Sequence, residues 1–162
     1  MPKAAYDTDF YAWTRQQARA LAAQNWSALD LDHLGTEIKT LGDAHVQAVT
    51  NHMTLLLTHL LKWTAQPQAR TRHWRTTIRV TRQQIARRLR RSPSLRAELP
   101  RLLADAYGEA RTRAMQQTGR PLTTFPKACR WLVARVLDED FWPEGWDTPH
   151  RGHPAAPPGP HA

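Results

Sequence analysis

Eight histidines and one cysteine are the residue types best suited to chemistry in this 162-residue chain, and three of the histidines, His45, His52 and His59, recur every seven residues. A zinc ion needs ligand atoms about 2.0–2.1 Å away, which one helix supplies from positions three or four apart. Heptad spacing instead sets neighbours about 10 Å apart along a helix axis. No single ion bridges these three, and no metal site or cofactor is assigned. His59 and Lys62 form an acid–base candidate inside Leu55 to Trp63, a stretch that is otherwise nearly all apolar. Glu37, the carboxylate considered with them, lies about 33 Å away if one helix joins them. The two would meet only across a dimer. Cys129 has Lys127 and Arg130 nearby and nothing else to depress its thiol pKa, so it reads as an unreactive thiol. The chain has no Gly-rich phosphate loop, no Cys-x-x-Cys and no Gly-x-Ser-x-Gly. No catalytic residue is assigned. The candidate polar core cluster is His59, Lys62, Trp63, His52 and Glu37, and an enzyme of the metal-dependent or hydrolytic kind centred on His59 ranks below the readings that follow.

The second chemical feature is charge. Of the net +9, residues 70–120 hold fourteen Lys or Arg against three Asp or Glu, whereas residues 1–69 hold five against six and residues 121–162 four against five. A cationic block of this kind attracts polyanions by counterion release and steering. Arg72, Arg75, Arg79, Arg82 and Arg90 line one arc of a helix and form the candidate anion-binding face, the basis for non-specific nucleic-acid binding. Nineteen of the 23 basic residues are Arg, so compositional bias accounts for the same block as a solvated face.

The elements that must position these groups read as helices throughout. Asp7, as N-cap, and Asp9 start a helix over about 8–24, which Gln24-Asn25 ends. Ser27 and Asp30 resemble a capping box ahead of a rod over about 28–64, closed by Pro67. Along it Leu31, Leu34, Ile38, Leu41, His45, Ala48, His52 and Leu55 step by three and four, a seam whose histidines would set register or partner choice. A third helix covers about 70–91, with Trp74, Ile78, Thr81, Ile85 and Leu89 on its apolar side. Ser92-Pro93 breaks the chain, a fourth helix runs from Pro100 to Gly119, and a last one is predicted over 126–138. Phe141-Trp142-Pro143 can fold back over one end of the bundle. Beyond Glu144 the Pro- and Gly-rich sequence predicts a disordered tail over 145–162, leaving a single all-α domain over 4–144.

Taken as a set, Tyr6-Asp7-Thr8-Asp9-Phe10-Tyr11-Ala12-Trp13, Leu29-Asp30 through Glu37-Ile38 and Leu41-Gly42, and His59-Leu60-Leu61-Lys62-Trp63 resemble the family called domain of unknown function 29. So do Arg72-His73-Trp74-Arg75, Ser92-Pro93-Ser94-Leu95, Tyr107 with Ala110-Arg111, and Asp138-Glu139-Asp140-Phe141, over about residues 6–144. The resemblance implies a bacterial all-α protein without an assigned activity, and it supplies no catalytic residue. Thr36 and Lys39 stand where that family usually has acidic residues beside Glu37, which weakens a carboxylate metal cluster. Arg87, Arg88, Arg90 and Arg91 replace a mixed, often acidic stretch, which makes the basic charge a peculiarity of this member.

The expected architecture is therefore all-α, a bundle of four to five helices around one long helix. A rod of that length outruns the core that the folded residues can build, so exposed seam favours self-association, as a homodimer. The expected function is a helical protein-interaction or scaffold module, with nucleic acid as the alternative partner. No apolar run reaches the ~20 residues of a membrane span, and one cysteine suits a reducing compartment. No membrane partner and a cytoplasmic location are expected.

Overall fold

Helix start signals fix where the first element begins, although one residue pair is exchanged relative to expectation. In a computed structural model, which describes residues 6–145, the N-cap of α1 (Phe10–Ala22) is Asp9, whose carboxylate accepts from the Ala12 amide at 2.9 Å. Asp7 lies in the turn before it. α1 ends where Gln24 adopts φ 56°, with the Asn25 amide donating to the Ala20 carbonyl at 2.9 Å, a C-terminal closure of the left-handed type. A short 3₁₀ turn at Trp26–Ala28 leads to α2 (Leu31–Ala65), one 35-residue helix. It is followed by α3 (Arg72–Arg91), a 3₁₀ segment at Pro93–Glu98, α4 (Leu99–Thr118) and α5 (Val133–Leu137). Among the described residues there is no strand, and the fold is an all-α bundle built on one long helix. No helix among them is long and apolar enough to cross a membrane. The segment expected to be a disordered tail lies, after Gly145, outside the described residues.

The described residues fall into two compact units that divide between Ala48 and Val49. In the first, Trp13, Gln17 and Ala20 of α1 are buried. Asp30 ties the unit together. Its amide donates to Gln17 Oε1 at 2.8 Å, and its carboxylate accepts from Trp13 Nε1 at 3.2 Å and from the His33 ring at 2.8 Å. The His33 hydrogen bond holds the Asp30 carboxyl below the usual range. Tyr6 stacks on His33 at 4.0 Å and donates its hydroxyl proton to Glu37.

The second unit contains the main core. From Leu56 to Thr64 every residue of α2 is buried, as its near-continuous apolar run requires. Threonines enter this interior because each returns its hydroxyl to its own helix: Thr58 donates to the Thr54 carbonyl at 2.7 Å and Thr64 to that of Leu60 at 2.8 Å. Ile78, Ile85 and Leu89 of α3 and Leu102, Ala106, Tyr107, Ala110 and Ala114 of α4 complete the core. Gly119 ends α4 at φ 66°, the position and conformation its sequence predicts.

The last helix is much shorter than the expected 126–138. Side chains of α4 take carbonyls at the start of the expected helix: Tyr107 donates to the Pro126 carbonyl at 2.8 Å, and Arg111 to that of Phe125 at 3.0 Å. Residues 126–132 are therefore held open, and helix begins only at Val133.

Candidate functional site

In the first unit the seam of α2 is only partly covered by the described residues. None of Leu31, Leu34, Ile38, Leu41, His45 and Ala48 is buried, and Leu31, Ile38 and Leu41 are 69%, 67% and 72% exposed. Beside the seam stand Gly35 and Gly42, where a Cβ would meet no described residue beyond the local helix backbone and the adjoining residues within 4 Å. Each is a mid-helix glycine that costs about 1 kcal/mol relative to alanine. His45 Nε2 is shielded and has no hydrogen-bond partner among the described residues. Glu37, placed by its residue type in the polar cluster, is occupied by Tyr6 in this unit.

In the second unit His59 and Lys62 are both buried, at 7% and 8% exposure, one turn apart on α2. His59 Nδ1 pairs with the Leu55 carbonyl at 3.0 Å, so this nitrogen carries the proton and Nε2 is left as the acceptor. Burial lowers the His59 pKa, with Lys62 and His73 adding repulsion. Lys62 Nζ donates to Gln117 Oε1 at 2.9 Å and lies 4.5 Å from the centre of the Trp74 ring. Burial lowers its pKa also. The sequence offers no signal for Gln117, which is 55 residues away. His52 is half-buried, with its pKa lowered by burial and by Arg88. The arrangement satisfies a buried ammonium with an amide and an aromatic face, and no carboxylate forms an ion pair with it among the described residues. No group of three His, Cys, Asp or Glu capable of holding a metal gathers among those residues. Cys129 donates weakly to the Trp131 carbonyl, and burial pushes its thiol up, away from the nucleophilic thiolate.

Trp63 faces a different neighbourhood, where the arginines divide. Arg82, expected in the exposed arc, is only 2% exposed. Its Nε donates to the Val136 carbonyl at 2.9 Å and its two terminal nitrogens to those of Phe141 at 2.8 Å and Glu139 at 3.4 Å. This corrects its place in the anion-binding face: it sits about 20° from Leu89 on a helical wheel, at the margin of the apolar side, and has the reach to bury its head among backbone acceptors. Arg72, Arg75, Arg79 and Arg90 are exposed. The first three border two adjoining cavities, of about 330 and 320 Å³, that share Trp63, Arg70 and Arg75. Arg90 lines neither. Trp142 packs on Trp63 with ring centres 4.9 Å apart, and the guanidinium of Arg70 lies 4.7 Å from the Trp63 ring. Arg70 and Trp142 were absent from the site expected from sequence. The fold-back of 141–143 is the sequence signal for Trp142, whereas Arg70 precedes α3 and falls outside its three-and-four spacing, so it carries none.

No curated protein and no solved structure matches the chain. A family match covers residues 5–142, nearly all of the described chain. On that match the chain belongs to the family described as domain of unknown function DUF29.

Proposed function

We propose that this protein is a helical interaction module that pairs with a second copy of itself along the first half of α2. The observation that carries this reading is the seam Leu31, Leu34, Ile38, Leu41, His45, Ala48, none of it buried among the described residues and Leu31, Ile38 and Leu41 largely exposed. Spacing of alternate threes and fours is what knobs-into-holes packing uses, and a second copy presents the same spacing in a two-fold pairing. Gly35 and Gly42 flank that seam with open space beside them, which lets a partner backbone approach closely. The seam polar residue, His45, restricts the register in which two such helices fit.

Sedimentation velocity and light scattering at about 10–50 µM test this, a range in which a dimer with a dissociation constant near 1 µM is well populated. The expected result is a dimer that Leu41→Glu converts to a monomer with its helix content unchanged, because Leu41 is 72% exposed. A wild-type monomer throughout that range removes the reading.

Non-specific nucleic-acid binding is the second reading, supported by exposed Arg72, Arg75, Arg79 and Arg90 on α3. Its signature is an affinity for mixed-sequence duplex DNA that falls with salt by a log–log slope of about −0.9 per phosphate neutralised. A salt-independent or undetectable affinity removes it.

A further inference from the structure

We propose that the cleft bordered by Trp63, Arg70, Arg72, Arg75, Arg79 and Trp142 is a binding site for a phosphate group, free or as the terminus of a small monoester. Four guanidiniums border the two adjoining cavities there, against one carboxylate, Glu144. None of the four forms an ion pair with a carboxylate among the described residues. Like charges brought together in a concavity repel, and an anion in the cleft relieves that repulsion.

The rings hold the cations in place. Arg75 lies 5.7 Å from the Trp63 ring centre and 5.6 Å from that of Trp142, and Arg79 lies 6.0 Å from that of Trp142. A guanidinium over an aromatic face keeps its in-plane N–H donors available for an oxygen acceptor. Arg70 is anchored differently: Nε donates to the Trp63 carbonyl at 2.9 Å and one terminal nitrogen to the Pro143 carbonyl at 3.5 Å, leaving its other terminal nitrogen. The aromatic faces are thus engaged by cations, which argues for an anionic group and not a stacked base as the recognised feature.

Charge and size select the ligand. A phosphate monoester carries about −1.5 to −2 at neutral pH and offers three oxygens to forked donors, where a carboxylate offers one charge and two oxygens. A cavity of about 330 Å³ lies at the small end of the usual ligand range of roughly 300–1,000 Å³. A nucleic-acid strand would be served by cations spread along a face, whereas here they converge on a concavity, and Arg82, next in the series, turns inward to the backbone.

Isothermal titration calorimetry of the full chain in phosphate-free buffer at about 0.15 M ionic strength tests this. The probes are inorganic phosphate, AMP, adenosine and a 20-nucleotide single strand without a terminal phosphate. Inorganic phosphate or AMP should bind saturably, one per chain, with a dissociation constant of about 1 mM or tighter, and adenosine should not bind. Comparison of the first two probes separates free phosphate from the ester. Arg75→Gln and Arg79→Gln should each weaken binding about tenfold or more, while Arg90→Gln, outside the cleft, should not. Both cleft positions are exposed, and circular dichroism checks that each variant is folded. The proposal is overturned by no saturable binding of either phosphate probe, by binding indifferent to both cleft substitutions, or by a strand that binds tighter than AMP and is weakened equally by Arg90→Gln.

Discussion

Replacing Arg82 with methionine asks whether a buried cation holds the C-terminal segment to the bundle. Arg82 makes two hydrogen bonds of good length, 2.9 Å to the Val136 carbonyl and 2.8 Å to that of Phe141, and a longer one of 3.4 Å to Glu139. Bonds from a charged donor contribute about 1.5–3 kcal/mol each, so the two good ones total about 3–6 kcal/mol. Against this stands the cost of burying a guanidinium, several kcal/mol in general, which methionine avoids. The carbonyls that methionine leaves behind cost about 1–3 kcal/mol each if they stay buried, and undocking of 133–143 caps that cost by returning them to water. The net expectation is a loss of about 2–4 kcal/mol. Urea unfolding followed by circular dichroism should show the midpoint falling by about 1–2 M at a slope of about 2 kcal/mol/M. Hydrogen exchange should show the Val136 amide, bonded to the Leu132 carbonyl at 3.1 Å, losing protection. Arg82→Lys keeps the charge but not the planar fork, and should recover less than half of the loss. A methionine variant within about 0.5 kcal/mol of the parent, with exchange at 133–141 unchanged, would refute the reasoning.

Two further outcomes follow from buried polar groups. Burial lowers the His59 pKa from 6.5, so between the lowered value and 6.5 the unfolded chain binds more protons than the folded one; stability is full above 6.5 and declines as the pH falls through that window. His52 acts in the same direction, and His59→Gln should make the stability curve shallower below pH 6.5 without abolishing its slope. An identical curve for the variant would count against the burial argument. Tyr107, whose pKa burial pushes up to about 12, donates to the Pro126 carbonyl. Tyr107→Phe should cost about 1–3 kcal/mol in urea unfolding by stranding that carbonyl, and a neutral effect would show that 126–132 has another anchor.

The start of α3 shows why local patterns were readable. Thr71 caps it through the Trp74 amide at 3.1 Å, and Ile78, Ile85 and Leu89 fall on the buried side at the spacing that defines a helix face. Such signals depend on neighbours within a few residues. α5 fails for the opposite reason: residues 126–132 have helical composition, but Tyr107 and Arg111, far off in sequence, take the carbonyls around Pro126. Arg82 belongs to the same class, because a position at the edge of an apolar arc is resolved by what packs against it. The candidate site was legible in part. Arg72, Arg75 and Arg79 could be read from one helix, whereas Arg70, Trp142 and the Lys62–Gln117 pair required the chain to fold back on itself.

By itself the sequence determined the helical class, the 35-residue rod, the glycine that ends α4 and the seam whose threes and fours run along α2, since each is set by backbone preference or by periodicity within one element. Tertiary structure alone decided which arginine turns inward and which ones gather over the tryptophan rings. It also decided that Leu31, Ile38 and Leu41 of the most regular seam stay exposed among the described residues. The reason is that burial and charge pairing are properties of surfaces brought together from distant positions, and no local pattern specifies what will lie opposite.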